Sequence, residues 1–270
     1  IVDPPGRLIN EKFRRGSYIH PLYGLDGEIM TQDFPIDHFH HRGIFWAWPN
    51  STVGDRPIDI WLMDGVRQRH EEWVTREAAE ERAEIAVTNI WSFDDDPETP
   101  QMRDHVRFII HPADETGRAI DFDLRFENVS GEVFEIHGAT TDDKGYGGFC
   151  FRPDARRRPL TFTAAQGKLD DDVLRLDTPW MDCSFEIETG KPELSGAAIF
   201  QHPANPGYPH PGWIARHYGF LGVSWPHTEA HRLEVGESFH LRYRLYLHRG
   251  NAEDGKVRKA FEKYTHSITP

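Results

Sequence analysis

The feature that most constrains this fold is an alternation of apolar and polar residues in the second half of the chain. It runs through residues 120–126, 181–187 and 239–248. Because successive side chains of a strand point to opposite faces, each run predicts a strand with one buried face and one wetter face. Strands of this kind are typical of antiparallel sheets.

Turn signals separate these runs and favour the all-β class. Clusters of Gly, Asn, Asp, Glu and Pro occur at 114–117, 128–131, 189–192 and 234–237. Short strands between such turns indicate a sandwich or a barrel. The sequence has neither βαβ alternation nor a Gly-rich phosphate loop, which disfavours nucleotide-binding α/β folds. We therefore predict a single β-sandwich domain over residues 1–270.

Two segments have helical features. Residues 71–84 are rich in Glu, Ala and Arg, which favour helices, but a period-two pattern continues over 83–91. We therefore predict a long charged hairpin arm there. Residues 253–264 place their apolar side chains on one helical face and predict a short C-terminal helix.

Charge and hydropathy exclude several classes of partner. The 44 acidic residues outnumber the 31 Lys and Arg residues, which gives a formal net charge of −13. Nucleic acids and anionic membrane surfaces both need a basic footprint, so we expect neither as a partner. The longest apolar stretch, residues 44–48, is too short to span a bilayer, so we expect no membrane span.

The two cysteines of the chain, Cys150 and Cys183, are too few for a zinc knuckle or a disulfide framework. Cys183 lies on the apolar face of its predicted strand. We expect two buried thiols, with a single bridge between them as the open alternative.

The most distinctive motif is a histidine-rich stretch in the first fifth of the chain. It holds His38, His40 and His41 beside Asp37 and Arg42. In an extended chain His38 and His40 share a face and His41 points the opposite way. The two imidazoles on one face could hold a metal ion, bind a substrate and move a proton, or form structural hydrogen bonds.

Aromatic residues follow at once. Phe45, Trp46 and Trp48 fit a core strand, and they also fit an aromatic platform that stacks on the C–H faces of a sugar. Alternation places Trp46 and Trp48 on the same face. Both interpretations stay open at this point.

Two further clusters carry candidate site residues. In residues 140–152 a Gly-rich stretch surrounds Tyr146, a candidate acid or base, and is followed by Arg152, which could pair with a carboxylate or a hydroxyl. A plain turn with a surface arginine is the alternative. Residues 201–213 form a Pro-rich, rigid loop that could present polar and aromatic side chains at low entropic cost, and residues 216–219 follow it.

The combination of residues 18–22, 37–43, 146–148, 202–206 and 236–244 resembles a bacterial family of unknown function that is labelled "PmoA family" or "methane oxygenase-like". The matches span nearly the whole chain, and the histidine motif is the most specific. The resemblance implies an antiparallel β-supersandwich similar to galactose-mutarotase-like folds, in a family associated with carbohydrate catabolism. The chain departs from mutarotases in having no late glutamate within a matching motif.

Enzymes on such sandwiches include sugar epimerases, glycosidase domains and polysaccharide lyases, and the fold alone does not choose among them. We expect an enzyme that cleaves a glycosidic linkage of an oligo- or polysaccharide, as a hydrolase or a β-eliminating lyase, in a secreted or periplasmic location. A non-catalytic carbohydrate-binding module and a sugar epimerase or mutarotase are the alternatives. The oligomeric state is left open.

The candidate residues fall into three groups. The expected catalytic residues are His38, His40, His41, Tyr146 and His202. The expected substrate-binding residues are Arg42, Trp46, Trp48, Asp143, Arg152, Asn205, Trp213 and His217. In a metal-assisted version, a divalent Zn²⁺, Mn²⁺ or Ca²⁺ ion would be held by His38, His40 and His202.

Overall fold

A computed structural model of the chain describes residues 15–154, 156 and 159–268. These residues form mostly strands, with a short 3-10 turn at Thr141–Asp143 and one α-helix near the C-terminal end. In chain order the elements are β1 (Tyr18–Ile19), β2 (Ile44–Ala47), β3 (Asn50–Val53), β4 (Arg56–Ile58), β5 (Val66–Ala78), β6 (Ala83–Phe93), β7 (Pro100–Ile110), β8 (Gly117–Asn128), β9 (Phe134–His137), β10 (Gly148–Phe151), β11 (Leu160–Ala164), β12 (Gly167–Leu169), β13 (Trp180–Glu186), β14 (Leu194–Gln201), β15 (Trp213–Arg216), β16 (Phe220–Val223), β17 (Ala230–Leu233), β18 (Ser238–Arg249) and α1 (Val257–Ile268).

The largest sheet has nine antiparallel strands in the order β12-β11-β13-β14-β18-β8-β7-β6-β5. In the pair β8–β18, Phe122 lies opposite Tyr243 on the buried face, and Asp123 lies opposite Arg242 on the wetter face. A salt bridge of 3.2 Å joins Asp123 and Arg242. The alternation predicted from this part of the sequence is therefore confirmed.

The structure also shows the two segments with helical features in the sequence. The charged arm is a hairpin of β5 and β6, as predicted. The helix α1 begins later than the predicted 253–264, because Asn251 Oδ1 accepts the amides of Glu253 and Asp254 and holds a turn there. Both faces of β13 are buried, since α1 covers the face that alternation would leave wet.

A five-stranded sheet, in the order β1-β2-β10-β16-β15, packs on the large sheet. Its inner face carries Trp46 and Phe149, and the Phe149 ring centroid lies 4.9 Å from that of Phe122 and 4.6 Å from that of Tyr243. The outer face carries a row of side chains in register across four strands, namely Phe45, Cys150, Gly222 and Ile214.

A smaller sheet, in the order β17-β9-β3-β4, completes the antiparallel sandwich. The predicted fold class, an all-β antiparallel supersandwich with a short C-terminal helix, is confirmed. Cys150 and Cys183 are free and buried, as expected. Over the described ranges, no helix has the length and apolar character needed to cross a membrane.

Candidate active site

A pocket of about 320 Å³ lies on the outer face of the five-stranded sheet. Its floor is set by the register of β15 and β16, where Arg216 lies opposite Phe220 and shares a face with Ile214. Loops that precede β2, β5 and β10, together with the β15–β16 turn, form the walls. The lining side chains are His38, His40, His41, Trp61, Lys144, Tyr146, Asp172, Leu174, Ile214, Arg216, Tyr218 and Phe220.

The histidine motif folds into consecutive turns. The His38 amide donates to the Pro35 carbonyl at 3.1 Å, and the His41 amide donates to the His38 carbonyl at 2.9 Å. The turns gather three imidazoles, with ring centroids 4.6 Å apart for His38–His41 and His40–His41 and 5.7 Å apart for His38–His40. The prediction that His41 points away from the other two is wrong, because it assumed an extended chain.

The His38 ring is held on both faces and at one edge. It stacks between His41 and Tyr218, with centroid distances of 4.6 and 4.8 Å and interplanar angles of 10° and 8°. Its Nδ1 lies 2.9 Å from Asp37 Oδ2. Because an ionised carboxylate only accepts hydrogen bonds, Nδ1 carries the proton and Nε2 is the basic nitrogen. The Nε2 edge is the part of the ring left for a ligand.

Arg152 lies behind the pocket and holds both Asp37 and His41 in place. Its Nη2 donates to both oxygens of Asp37, at 2.9 and 2.8 Å, and its Nη1 lies 3.3 Å from His41 Nδ1. Burial tends to raise the pKa of Asp37, but hydrogen bonds from His38 and Arg152 outweigh it and lower that pKa. Arg152 is only 1% exposed. Its predicted pairing with a substrate carboxylate is therefore wrong, because Asp37 already occupies its guanidinium.

His40 and His41 are neutral imidazoles. Burial is the main cause, and nearby cations add to it, so the pKa of His40 falls to about 3 and that of His41 falls well below its usual value. No hydrogen bond joins the His40 ring to any residue that the structure describes. His40 can therefore offer a neutral donor and acceptor to a polar ligand.

Trp61 and Tyr146 form another wall. The Trp61 ring lies 5.8 Å from His40 and 5.0 Å from Tyr146, between centroids. Arg15 holds the Trp61 loop by donating to the Ile60 and Trp61 carbonyls, both at 2.7 Å. Burial, with a smaller contribution from Asp59, raises the pKa of Tyr146, so its hydroxyl stays protonated and can donate.

Asp172 is the carboxylate of the pocket. It accepts the His217 amide at 2.8 Å and the His217 Nδ1 at 2.9 Å, and Arg216 Nη1 lies 3.3 Å away. Burial opposes ionisation, but these hydrogen bonds together lower the pKa of Asp172. Asp172 is thus an anion that binds and orients, and it is a poor proton donor near neutral pH.

Residues 7–262 match the family model described as "Family of unknown function (DUF6807)". The chain belongs to this family. A search of the curated proteins found no significant match. The resemblance to the "PmoA family" stays a prediction.

Two solved structures are similar to this chain at low identity. One is galactose 1-epimerase from Lactobacillus acidophilus NCFM, with 12% identity and a TM-score of 0.41, over 86% of this chain and 89% of that one. The other is a GalM/aldose epimerase homologue from C. elegans, with 8% identity and a TM-score of 0.37, over 85% of this chain and 91% of that one. Activity does not carry over at such values, so function must be argued from the pocket.

Five of the predicted residues come together. His38, His40, His41 and Tyr146 line the pocket, and Arg152 lies directly behind it. His217 lies one layer out and reaches the pocket through Asp172. Asp143 is exposed in the 3-10 turn beside Lys144 and is outside the lining.

The predicted tryptophan platform is wrong. Trp46, Trp48 and Trp213 are at most 1% exposed and lie in the core. The Trp48 Nε1 donates to the Trp225 carbonyl at 2.6 Å, and the Trp213 Nε1 donates to the Thr178 carbonyl at 2.8 Å. They fill the space between sheets, which was the other interpretation of the sequence.

The predicted substrate roles of Arg42 and Asn205 are also wrong. Arg42 is buried and binds Asp33 at 2.5 Å and the Tyr18 hydroxyl at 2.7 Å. Asn205 uses both ends of its amide on the backbone of Arg242, with two hydrogen bonds of 2.7 Å. Each side chain fastens a loop to a strand, so neither is available to a substrate.

The predicted metal-binding set does not assemble. His202 lies near α1, with its ring centroid 5.9 Å from that of Tyr264, and it is absent from the pocket lining. The catalytic role predicted for His202 is therefore wrong as well. In the part of the chain that the structure describes, no group of three or more His, Cys, Asp or Glu side chains could hold a metal ion.

Several lining residues carry no recognisable signal in the sequence. Lys144 lies inside the Gly-rich cluster, and Arg216 and Tyr218 directly follow the Pro-rich loop, but nothing in the sequence distinguishes them from their neighbours. Asp172 stands in a run of three aspartates that has the composition of a surface loop. The pairing of Val173 with Ala215 brings this loop to β15, a contact that is not encoded locally.

Proposed function

We propose that the chain is a sugar epimerase or mutarotase, an enzyme that moves protons on a sugar without cleaving a glycosidic linkage. One observation carries the proposal: His38 is stacked on both faces and bonded to Asp37 at Nδ1, so that Nε2 is left as a positioned base. Such preorganisation is what general acid–base catalysis requires. A pocket of about 320 Å³ is at the lower end for ligand sites and suits a single sugar.

The simplest reaction of this class is anomer interconversion. His38 Nε2 accepts the proton of the anomeric hydroxyl while the bond between the anomeric carbon and the ring oxygen breaks. The Tyr146 hydroxyl donates its proton to that ring oxygen. Rotation of the open-chain aldehyde and reversal of both transfers give the other anomer, and each residue recovers its starting state.

Hydrolysis has less support from the pocket. Two-carboxylate glycosidases need one carboxyl group with a raised pKa beside a second carboxylate. Among the described lining residues, Asp172 is the one carboxylate, and its pKa is lowered. The pair that this chemistry needs is therefore not assembled.

β-Elimination has less support as well, because it needs a cation that neutralises a uronate. Each cation at the pocket has an acidic partner: Arg152 pairs with Asp37, Arg216 with Asp172, and Lys144 with Asp142. A neutral sugar therefore fits this pocket better than a uronate does. The binding-module alternative loses its platform, because the predicted tryptophans are buried.

The test is an assay of freshly dissolved α-anomers of glucose, galactose and xylose by polarimetry and ¹H NMR. We expect faster equilibration of at least one sugar than in buffer alone. We expect His38→Gln to reduce that rate about 10²- to 10⁴-fold, the usual contribution of a general acid–base residue. The control is His105→Gln, a half-exposed histidine of β7 that is outside the pocket.

The same samples separate the other reaction classes when they are offered oligosaccharides. Products that absorb in the ultraviolet would indicate a lyase, and new reducing ends without absorbance would indicate a hydrolase. Either result, or a His38→Gln enzyme as fast as the native one, would contradict the proposal.

A further inference from the structure

A second groove, of about 530 Å³, lies between α1 and the outer face of the large sheet, apart from the histidine pocket. Strand β18 forms its floor with Arg244 and Tyr246, and the segment around Thr116 forms one side. The other side is α1 and the residue before it. The two pockets share no lining residue.

The groove concentrates positive charge on a chain whose net charge is −13. The chain has seven lysines, and three of them, Lys256, Lys259 and Lys263, line this groove. Lys259 and Lys263 are four residues apart and so share one side of α1, and Lys256 immediately precedes the helix. In an acidic protein, lysines spread over the surface would be surrounded by carboxylates, whereas three of these seven are gathered around one groove.

These lysines have no ion-pair partner among the described residues. By contrast, Arg244 is fully engaged, because its Nε and Nη2 donate to Asp121 at 2.6 and 2.7 Å and its guanidinium stacks on Tyr264 at 4.3 Å. The carboxylate lining the groove is Asp114, which accepts the Thr116 hydroxyl at 2.6 Å. Three lysines and one carboxylate thus line the groove, and one oxygen of that carboxylate is already hydrogen-bonded.

We propose that this groove binds a phosphate group, either free or carried by a small phosphorylated molecule, through Lys256, Lys259 and Lys263. Lysine binds phosphate as a compact point charge with three donors, and several lysines around one groove suit a dianion. The volume leaves room for an organic portion beside the phosphate. The histidine pocket, with its paired cations, offers no comparable site for a dianion.

The experiment measures binding of three probes by calorimetry: inorganic phosphate, glucose 6-phosphate and glucose. We expect phosphate and glucose 6-phosphate to bind, and their affinity to fall between 50 and 200 mM NaCl because salt screens exposed charges. Tighter binding of glucose 6-phosphate would identify a phosphorylated molecule as the ligand. Equal binding would identify free phosphate.

The decisive variant is Lys259→Gln/Lys263→Gln, and its matched control is Lys168→Gln/Lys191→Gln, which removes the same charge elsewhere on the chain. An exposed ion pair changes affinity about 2- to 5-fold, so the double variant should bind about 4- to 25-fold more weakly. The control should bind as the native protein does. All four lysines are exposed, so melting temperatures should stay unchanged.

Absence of binding by both phosphate probes would overturn the proposal, and so would equal weakening by the control variant. The test is independent of catalysis at His38, because the double variant leaves the histidine pocket intact. Loss of phosphate binding with normal sugar turnover is the result we expect. Failure of sugar turnover in every variant would overturn the proposed enzyme and leave the phosphate result standing.

Discussion

Replacing Asp37 by Asn tests the link between the buried arginine and the catalytic imidazole. In the native protein Asp37 accepts from His38 at 2.9 Å and from Arg152 at 2.9 and 2.8 Å. Asparagine keeps the shape but removes the charge. It can accept from one partner through its single carbonyl oxygen, and its amide group faces the other donor.

The magnitude follows from the hydrogen bonds that are lost. A hydrogen bond to a charged group contributes about 1.5–3 kcal/mol. If the whole of that free energy stabilises the transition state, its loss reduces the rate about 10- to 150-fold. Arg152 is almost fully buried but Asp37 is about two-fifths exposed, so water compensates in part. We expect unfolding free energy to fall by about 1–2 kcal/mol.

The assay is anomer interconversion by polarimetry, with chemical denaturation alongside. A matched control exists in Asp121→Asn, because Asp121 also accepts from one histidine, His111 at 2.7 Å, and from one arginine, Arg244. Asp121 lies outside the histidine pocket. We expect both variants to lose stability and only Asp37→Asn to lose activity. Equal turnover in Asp37→Asn and native protein would show that Asp37 does not position His38 for catalysis.

Three further predictions concern single residues. Asp104 is fully buried, and burial raises its pKa from 3.8 to about 6 against opposing hydrogen bonds from Asn89 and Trp91. The stability that the uncharged Asp104 carboxyl contributes is therefore fully present below pH 4 and is lost, by about 3 kcal/mol, as the pH rises towards 6. Denaturant titrations of native protein and Asp104→Asn should show this pH dependence only in the native protein. Trp46→Ala should reduce unfolding free energy by about 3–5 kcal/mol, measured in urea, because Trp46 is core. Tyr218→Leu should slow sugar turnover about 2- to 10-fold by removing one of the rings stacked on His38.

The sheets could be predicted from the sequence because strand alternation is local. In residues 120–126 and 239–248 the alternation of apolar and polar residues matches the alternation of buried and exposed side chains, and the two segments pair in the large sheet. Strand β13 departs from its pattern because α1, which lies far along the chain, covers its second face. The seven residues of β13 do not reveal in their own sequence that an element far along the chain will bury them.

The candidate site could be predicted only in part, for the same reason. The histidine motif identifies itself by composition, but its curled backbone depends on the Asp33–Arg42 pairing and on turns around Pro35. Tyr218, which completes the stack on His38, comes from a strand turn much later in the chain. Asp–His–Arg groupings form around Asp37, Asp121, Asp123 and Asp172, and only the fold decides that those around Asp37 and Asp172 lie at the pocket.

We infer that His38 Nε2 is the base that contacts the sugar. The most direct measurement is ¹H–¹⁵N NMR of the imidazole nitrogens, in native protein and His38→Gln, before and after addition of a monosaccharide that the protein interconverts. The assignment of His38 Nε2 as the base predicts that His38 is protonated at Nδ1, and that the ¹⁵N resonance of its Nε2 shifts when the sugar is added. A proton resident on Nε2 in place of Nδ1, or an Nε2 resonance unmoved by saturating sugar, would contradict it.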